Sequence, residues 1–199
     1  MYTNETLAQY IKTLAAKTPV PGGGSAAALC GALGTALLEM ACNFTAGKKG
    51  HEADEADIHS CLASLKALRE EFTALIDEDS KAYSRIHDAF KAKDEKAIES
   101  ALKAGYEVAL NACKSSRNAM LIASSLPEKI NVNLITDIGC GAELLNASFN
   151  SGSHTAGANL KDIRDKDFSA KAKKSLESLK KEEEAFYSST LARIAKRTE

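Results

Sequence analysis

Residues 22–46 read GGGSAAALCGALGTALLEMACNFTA, and how this stretch is read decides the fold. From Ala26 to Ala46 nearly every residue is apolar or small, with Glu39 and Asn43 as the interruptions. The run is about the length that a membrane-spanning helix requires. Alanine and glycine outweigh leucine and isoleucine in it, however, and the chain contains no tryptophan. Without an aromatic belt at either flank, insertion into a bilayer is the poorer reading. A helix that is apolar all round is better buried at the centre of a helical bundle. Small residues stack at four-residue steps, as in Ala27/Gly31, Ala28/Ala32 and Gly31/Thr35, so neighbouring helices can approach closely. The same smooth face suits contact with a second copy of the chain, because a homodimer interface must be self-complementary.

Working outward from this helix, strand signals are nearly absent and only 3 prolines punctuate the chain. Residues 4–17 carry Leu7, Ile11, Leu14 and Ala15 at the three-four spacing of one helical face. A long third helix is predicted from about Glu52 to Lys91, with Leu62, Leu65, Phe72, Ile76, Tyr83, Ile86 and Phe90 as its stripe. Asp94 reads as the N-cap of a fourth helix that runs towards Pro127. A fifth is expected over about Val132 to Asn150, then a loop NSGSHTAGAN and a short NLKDIRD segment. The last helix covers about Ser169 to Lys196. The expectation is one all-α domain over residues 1–199, a bundle of long antiparallel helices around a buried Ala/Gly-rich central helix.

The 199 residues carry a formal net charge of −1, with a pI near 6.4. A nucleic-acid partner is not expected, since phosphate-backbone binding calls for a basic excess on one face. Nor is a membrane. The 5 cysteines are odd in number, contain no C-x-x-C pair and follow no secretory leader, so they read as reduced cytoplasmic thiols.

Two polar residues break the stripe of the third helix. At steps of three and four it runs through positions 62, 65, 69, 72, 76, 79, 83, 86 and 90, where Arg69 and Asp79 replace hydrophobes. A buried carboxylate costs several kcal/mol unless it is paired, so Asp79 is either compensated structurally or functional. Tyr83 lies one turn on and makes Asp79–Tyr83 a candidate pair for proton transfer. Asn133 and Asp137 sit four apart near the start of the fifth helix, where capping and the helix dipole explain an acid equally well. Gly139 and Gly141 leave open space beside Asp137. His51, Glu55 and His59 fall at successive four-residue steps, a spacing compatible with a metal site. The surrounding acids favour a solvated helix face instead, and no metal is expected. Of the single histidines, His87 and His154, the latter is better placed to reach a ligand because it lies in the Gly/Ser stretch.

Gly22, Gly24 and Ala27 match the spacing of the dinucleotide fingerprint, but a helix precedes them where that motif needs a strand. What remains is a glycine entry into a long helix, with unmasked N–H groups and the helix dipole turned towards whatever lies there.

Taken together, the PVPGGGS entry, MACNFTAGKK, LIDEDSKAYSRI, NLITDIG and ANLKDI resemble the folate cyclodeaminase/cyclohydrolase family over nearly the whole chain. The resemblance implies an all-helical homodimer in the cytoplasm that acts on one-carbon units carried by tetrahydrofolate, with no cofactor beyond that carrier. It implies formiminotetrahydrofolate cyclodeaminase activity first, giving the 5,10-methenyl form and ammonia, and methenyltetrahydrofolate cyclohydrolase activity as the alternative. A non-catalytic homodimeric folate- or partner-binding bundle is the reading from another class. Carried over by position, Gly22, Gly23, Gly24 and Ser25 would line the folate site, with Asn159 and Lys48 as further binding residues. Asp79 or Asp137 would act as general acid/base and Tyr83 would orient it; Thr136-Asp137 stands where the family has Ser-Asp.

Overall fold

A computed structural model describes residues 1–198. Six α-helices follow one another: α1 (Leu7–Leu14), α2 (Gly23–Thr45), α3 (Glu55–Ala92), α4 (Glu95–Ser125), α5 (Ile135–Asp162) and α6 (Lys166–Thr198). Among the described residues there is no strand, so the all-α expectation holds. Short 3-10 turns at Tyr2–Asn4, Glu52–Asp54 and Val132–Leu134 lead into α1, α3 and α5. Thr6 starts α1 by accepting from Gln9 N at 3.2 Å. Asp94 starts α4 by accepting from Lys96 N and Ala97 N at 3.0 and 3.1 Å, as the sequence predicts.

α2 packs chiefly against α3 and α5, running antiparallel to both. Its glycines set how close they come. A Cβ on Gly31 would overlap the Phe72 ring, and one on Gly34 would lie 2.8 Å from the Gly141 carbonyl oxygen. α2 is long and apolar enough to cross a membrane, with a mean hydropathy of 1.5, yet half of that stretch is buried inside the bundle. The sequence predicts a helix covered all round, and the structure differs, leaving one face of α2 open. Leu33 (48% exposed) and Phe44 (56% exposed) stay open, with Leu37 and Met40 half-buried between them. These four fall on one helical stripe.

α5 also differs from expectation, because the stretch read as a loop is helical through to Asp162. Its small residues serve packing rather than chain reversal. Gly152 and Ala156 are buried, and a Cβ on Gly152 would stand 3.0 Å from Cys113 Sγ on α4. α4 and α5 are antiparallel, clasped by a buried Ser116–Ser148 hydrogen bond of 3.0 Å. α6 closes the far side of this pair, where Tyr106 donates to the Ala172 carbonyl at 3.0 Å. Residues 154–159 therefore sit on a helix and not in a loop.

Candidate active site

Because α2 runs antiparallel to α3, its glycine start lies beside Asp79. The two are fitted to each other. A Cβ on Gly24 would overlap Asp79 Oδ1, so the carboxylate occupies the space a side chain would fill. Ser25 N–H donates to Asp79 Oδ2 at 2.9 Å. Gly22, the N-cap of α2, has no side chain to bond the helix end. Asp79 therefore caps α2 from the neighbouring helix, where a negative charge also meets the positive end of the dipole. Burial pushes the Asp79 carboxyl above its ordinary range, and the Ser25 N–H draws it partly back.

In front of Asp79 opens a cavity of about 450 Å³. This is within the range of small-molecule sites. The Pro19–Gly24 elbow forms one wall, in which the Val20–Pro21 peptide is cis. Asp79, Ala82, Tyr83 and Ile86 of α3 form a second, and His154, Thr155, Ala158 and Asn159 of α5 the third. At the floor, Gly105 of α4 keeps the space open. A Cβ there would lie 2.8 Å from Ile86 Cδ1 and 3.2 Å from Asn159 Nδ2.

Behind the cavity the N-terminal segment braces this arrangement. The Ser25 hydroxyl, fully buried, shares a hydrogen bond with the Tyr10 hydroxyl at 3.0 Å. The Tyr10 ring meets Tyr2 edge-on at 5.9 Å. Asp77, two residues before Asp79, accepts from Tyr2 N at 2.6 Å and Thr3 Oγ1 at 2.8 Å.

The structure thus brings together Gly22, Gly23, Gly24, Asp79, Tyr83 and Asn159. Ser25 stands behind them and holds Asp79 through its backbone. Tyr83 is 44% exposed and stacks on His87 with ring centroids 6.5 Å apart. Among the described residues it makes no hydrogen bond to Asp79, and the orienting contact comes from Ser25 N–H instead. Asp137 does not reach the cavity, since it lies roughly 27 Å along α5 from Thr155 at 1.5 Å per residue. Lys48 also lies at the opposite end of the bundle, just past the end of α2, where Asn131 N donates to Thr45 Oγ1.

The other polar signals resolve as local pairs. Arg69 donates to Glu39 at 2.6 Å, so the interruptions in the α2 and α3 stripes are each other's partner. His51 Nδ1 lies 2.9 Å from the Lys129 carbonyl, while His59 pairs with Glu55 at 2.9 Å. His51 therefore turns away from the other two. Sequence reading missed Pro19, Ala82, Ile86, Gly105 and Thr155 as lining residues. For Thr155, the signal was the four-residue spacing to Asn159, which becomes a helical face once 150–162 are helical.

Comparison with known proteins gives a consistent picture. Residues 6–178 match the family described as formiminotransferase-cyclodeaminase. The chain is similar to a Methylorubrum extorquens protein named methenyltetrahydrofolate cyclohydrolase, 35% identical over 90% of each chain. It is 26% identical to formimidoyltransferase-cyclodeaminase of Gallus gallus over 96% of this chain, but it spans only 37% of that longer protein. Its fold superposes on the crystal structure of formiminotetrahydrofolate cyclodeaminase from Thermotoga maritima with a TM-score of 0.96 and 26% identity, covering both chains completely.

Proposed function

The chain belongs to the formiminotransferase-cyclodeaminase family, and from that membership we propose that it makes and breaks the N5–N10 one-carbon bridge of tetrahydrofolate in the cavity before Asp79. The observation that carries this reading is the seat of Asp79: a half-buried carboxyl fitted to a glycine helix start, with one oxygen held by Ser25 N–H and a ligand-sized space in front. Burial raises the proton affinity of this carboxyl, and a carboxyl so held beside a ligand-sized space suits general acid/base work.

In cyclodeamination, N10 attacks the carbon of the N5-formimino cation and forms a tetrahedral centre bearing NH2. The Asp79 carboxylate takes the proton that N10 sheds and returns it to the NH2 group. The carbon–nitrogen bond then breaks, its electron pair leaves with ammonia, and the bridged methenyl cation remains. The carbon keeps its oxidation level throughout, so the step calls for no redox cofactor. Gly22 and Gly23, where an added Cβ would meet nothing within 4 Å, let the folate approach the chain closely. Gly24 makes room for Asp79, and the Asn159 amide and the Tyr83 ring offer a polar and an aromatic contact.

The cyclohydrolase reading is favoured by one observation, the relative of that name at 35% identity over nearly equal lengths. The same cavity serves it, with water attacking the methenyl carbon. We place the protein in the cytoplasm, with its cysteines free, and as a homodimer joined through the open α2 stripe of Leu33, Leu37, Met40 and Phe44. Following the absorbance of 5,10-methenyltetrahydrofolate tests the function. Its appearance from the 5-formimino form establishes cyclodeaminase, and its enzyme-dependent loss establishes cyclohydrolase. No change in either assay would refute the proposal.

A further inference from the structure

We infer that His154 is a second catalytic group of this site, the base that takes a proton from the water attacking the methenyl carbon; this rests on the folate reading above. The imidazole and the Asp79 carboxyl stand on two different walls of one cavity, α5 and α3. Asp79, Tyr83 and His154 are the titratable side chains of the lining, and of these the imidazole is the commonest general base. One turn beyond His154 on α5 is Ala158, whose methyl leaves room before the imidazole, and a Cβ on the intervening Gly157 would meet nothing within 4 Å. The α5 helix places this residue at the cavity, while its exposure lets it exchange protons with solvent. Among the described residues it forms no salt bridge or hydrogen bond with the rest of the chain.

Hydrolysis of the bridge has two proton events that one carboxyl serves poorly. Water must lose a proton as its oxygen bonds the bridge carbon, and N5 must gain one as it leaves. On attack, the free ring nitrogen of neutral His154 accepts the water proton and the C=N electron pair moves onto nitrogen. The Asp79 carboxylic acid then protonates N5, and the C–N5 bond breaks with its pair on N5. The hydroxyl oxygen forms C=O, and its proton returns to the Asp79 carboxylate. His154 finally releases its proton to solvent. The balance is methenyl cation plus water to the 10-formyl product plus one proton.

The test is steady-state hydrolysis of 5,10-methenyltetrahydrofolate by the full chain and by His154→Gln and His154→Phe. In both variants kcat is expected to fall about 100-fold, the scale of one general base, with KM changed far less. Free imidazole in the buffer should restore a measurable part of the rate to the variants and add nothing to the wild type. Retention of kcat in both variants would overturn the inference. So would a rise in KM alone, or a loss of kcat that imidazole leaves untouched and that follows a fall in melting temperature. The wild type separates this from the parent reading. If it is active and His154→Gln equals it, the role of His154 alone falls; if it is inactive in both folate assays, the proposed function falls and takes this inference with it.

Discussion

Two carboxyl groups, the half-buried Asp79 and the buried Glu183, sit in different parts of this molecule and share one electrostatic feature. Burial raises both above their ordinary range, Glu183 to about 8. Their settings differ in every other respect. Asp79 keeps a backbone donor and faces a cavity. Glu183 is 1% exposed in the seam where α6 meets α4, and neither of its oxygens has a hydrogen-bond partner. Arg117 draws the carboxyl partly back, but its Nη1 and Nη2 go to Asn118 at 2.9 Å and Glu182 at 3.0 Å, and its buried Nε has no hydrogen-bond partner either. A displaced proton affinity therefore does not mark a site by itself; access and an oriented partner do.

Replacing the Asp79 carboxyl tests the first half of that contrast most strongly. In Asp79→Asn the amide oxygen can still accept from Ser25 N–H, so the fold should survive. Turnover of either folate substrate should drop by about 10²- to 10⁴-fold, the worth of a positioned acid/base group. Wild-type turnover in this variant would put Asp79 in the same class as Glu183, a buried acid with a structural history only.

For Glu183 the readout is stability against pH. The folded acid titrates near 8 and an unfolded glutamate near 4.5, so folding takes up a proton between those values. The stability that protonation contributes is complete below about pH 4.5 and is lost as pH rises through about 8. At about 1.4 kcal/mol per pKa unit, the loss by pH 7 is about 3 kcal/mol. Glu183→Gln removes this slope, whatever its own burial costs, because that cost does not vary with pH. Chemical denaturation at pH 4.5, 6 and 8 should show the wild type weakening relative to the variant. Parallel curves would mean that Glu183 is solvated or paired in solution.

A third substitution tests the fit between helix start and carboxyl. Gly24→Ala puts a methyl where Asp79 Oδ1 now lies, so the carboxyl must swing away. Displacement of a reacting group by about 1 Å can cost on the order of 100-fold in rate, and overpacking costs about 1–3 kcal/mol of stability. If kcat stays normal while stability falls, the close fit serves packing only.

Much of this arrangement is local enough to be read from sequence. The apolar run 26–46, the Asp94 cap and the broken stripe at Asp79 are each set by neighbours within a few turns. Long-range pairing is not local. Glu39 and Arg69 each break an apolar pattern, yet only the antiparallel packing of α2 on α3 shows that they answer each other. Asp79 and Asp137 are both candidate acids in the sequence, one because it breaks an apolar stripe and the other because glycines stand beside it, and only the length of α5 separates them. The stretch 150–159 resembles a loop because glycine and serine are common in loops. Here they allow α4 and α5 to touch, a reason that becomes visible only beside Cys113 and Ser116. Glu183 lies in the run KKEEE at 180–184, whose charges by themselves read as a solvated helix face.

The smallest expected effect separates bracing from chemistry within the Asp79 region itself. Tyr10→Phe removes one hydroxyl and leaves the buried Ser25 hydroxyl without its partner. Losing one buried hydrogen bond should cost about 1–2 kcal/mol in denaturant. The Ser25 N–H contact with Asp79 is a backbone bond fixed by the first turn of α2, and it does not depend on that hydroxyl. Asp79 also keeps its place against Gly24. Turnover should therefore change by less than about 3-fold, under 1 kcal/mol of barrier. A loss as deep as that of Asp79→Asn would put the Tyr10–Ser25 pair in the path of the proton, and the boundary of the site would move back to the N-terminal segment that Asp77 holds in place.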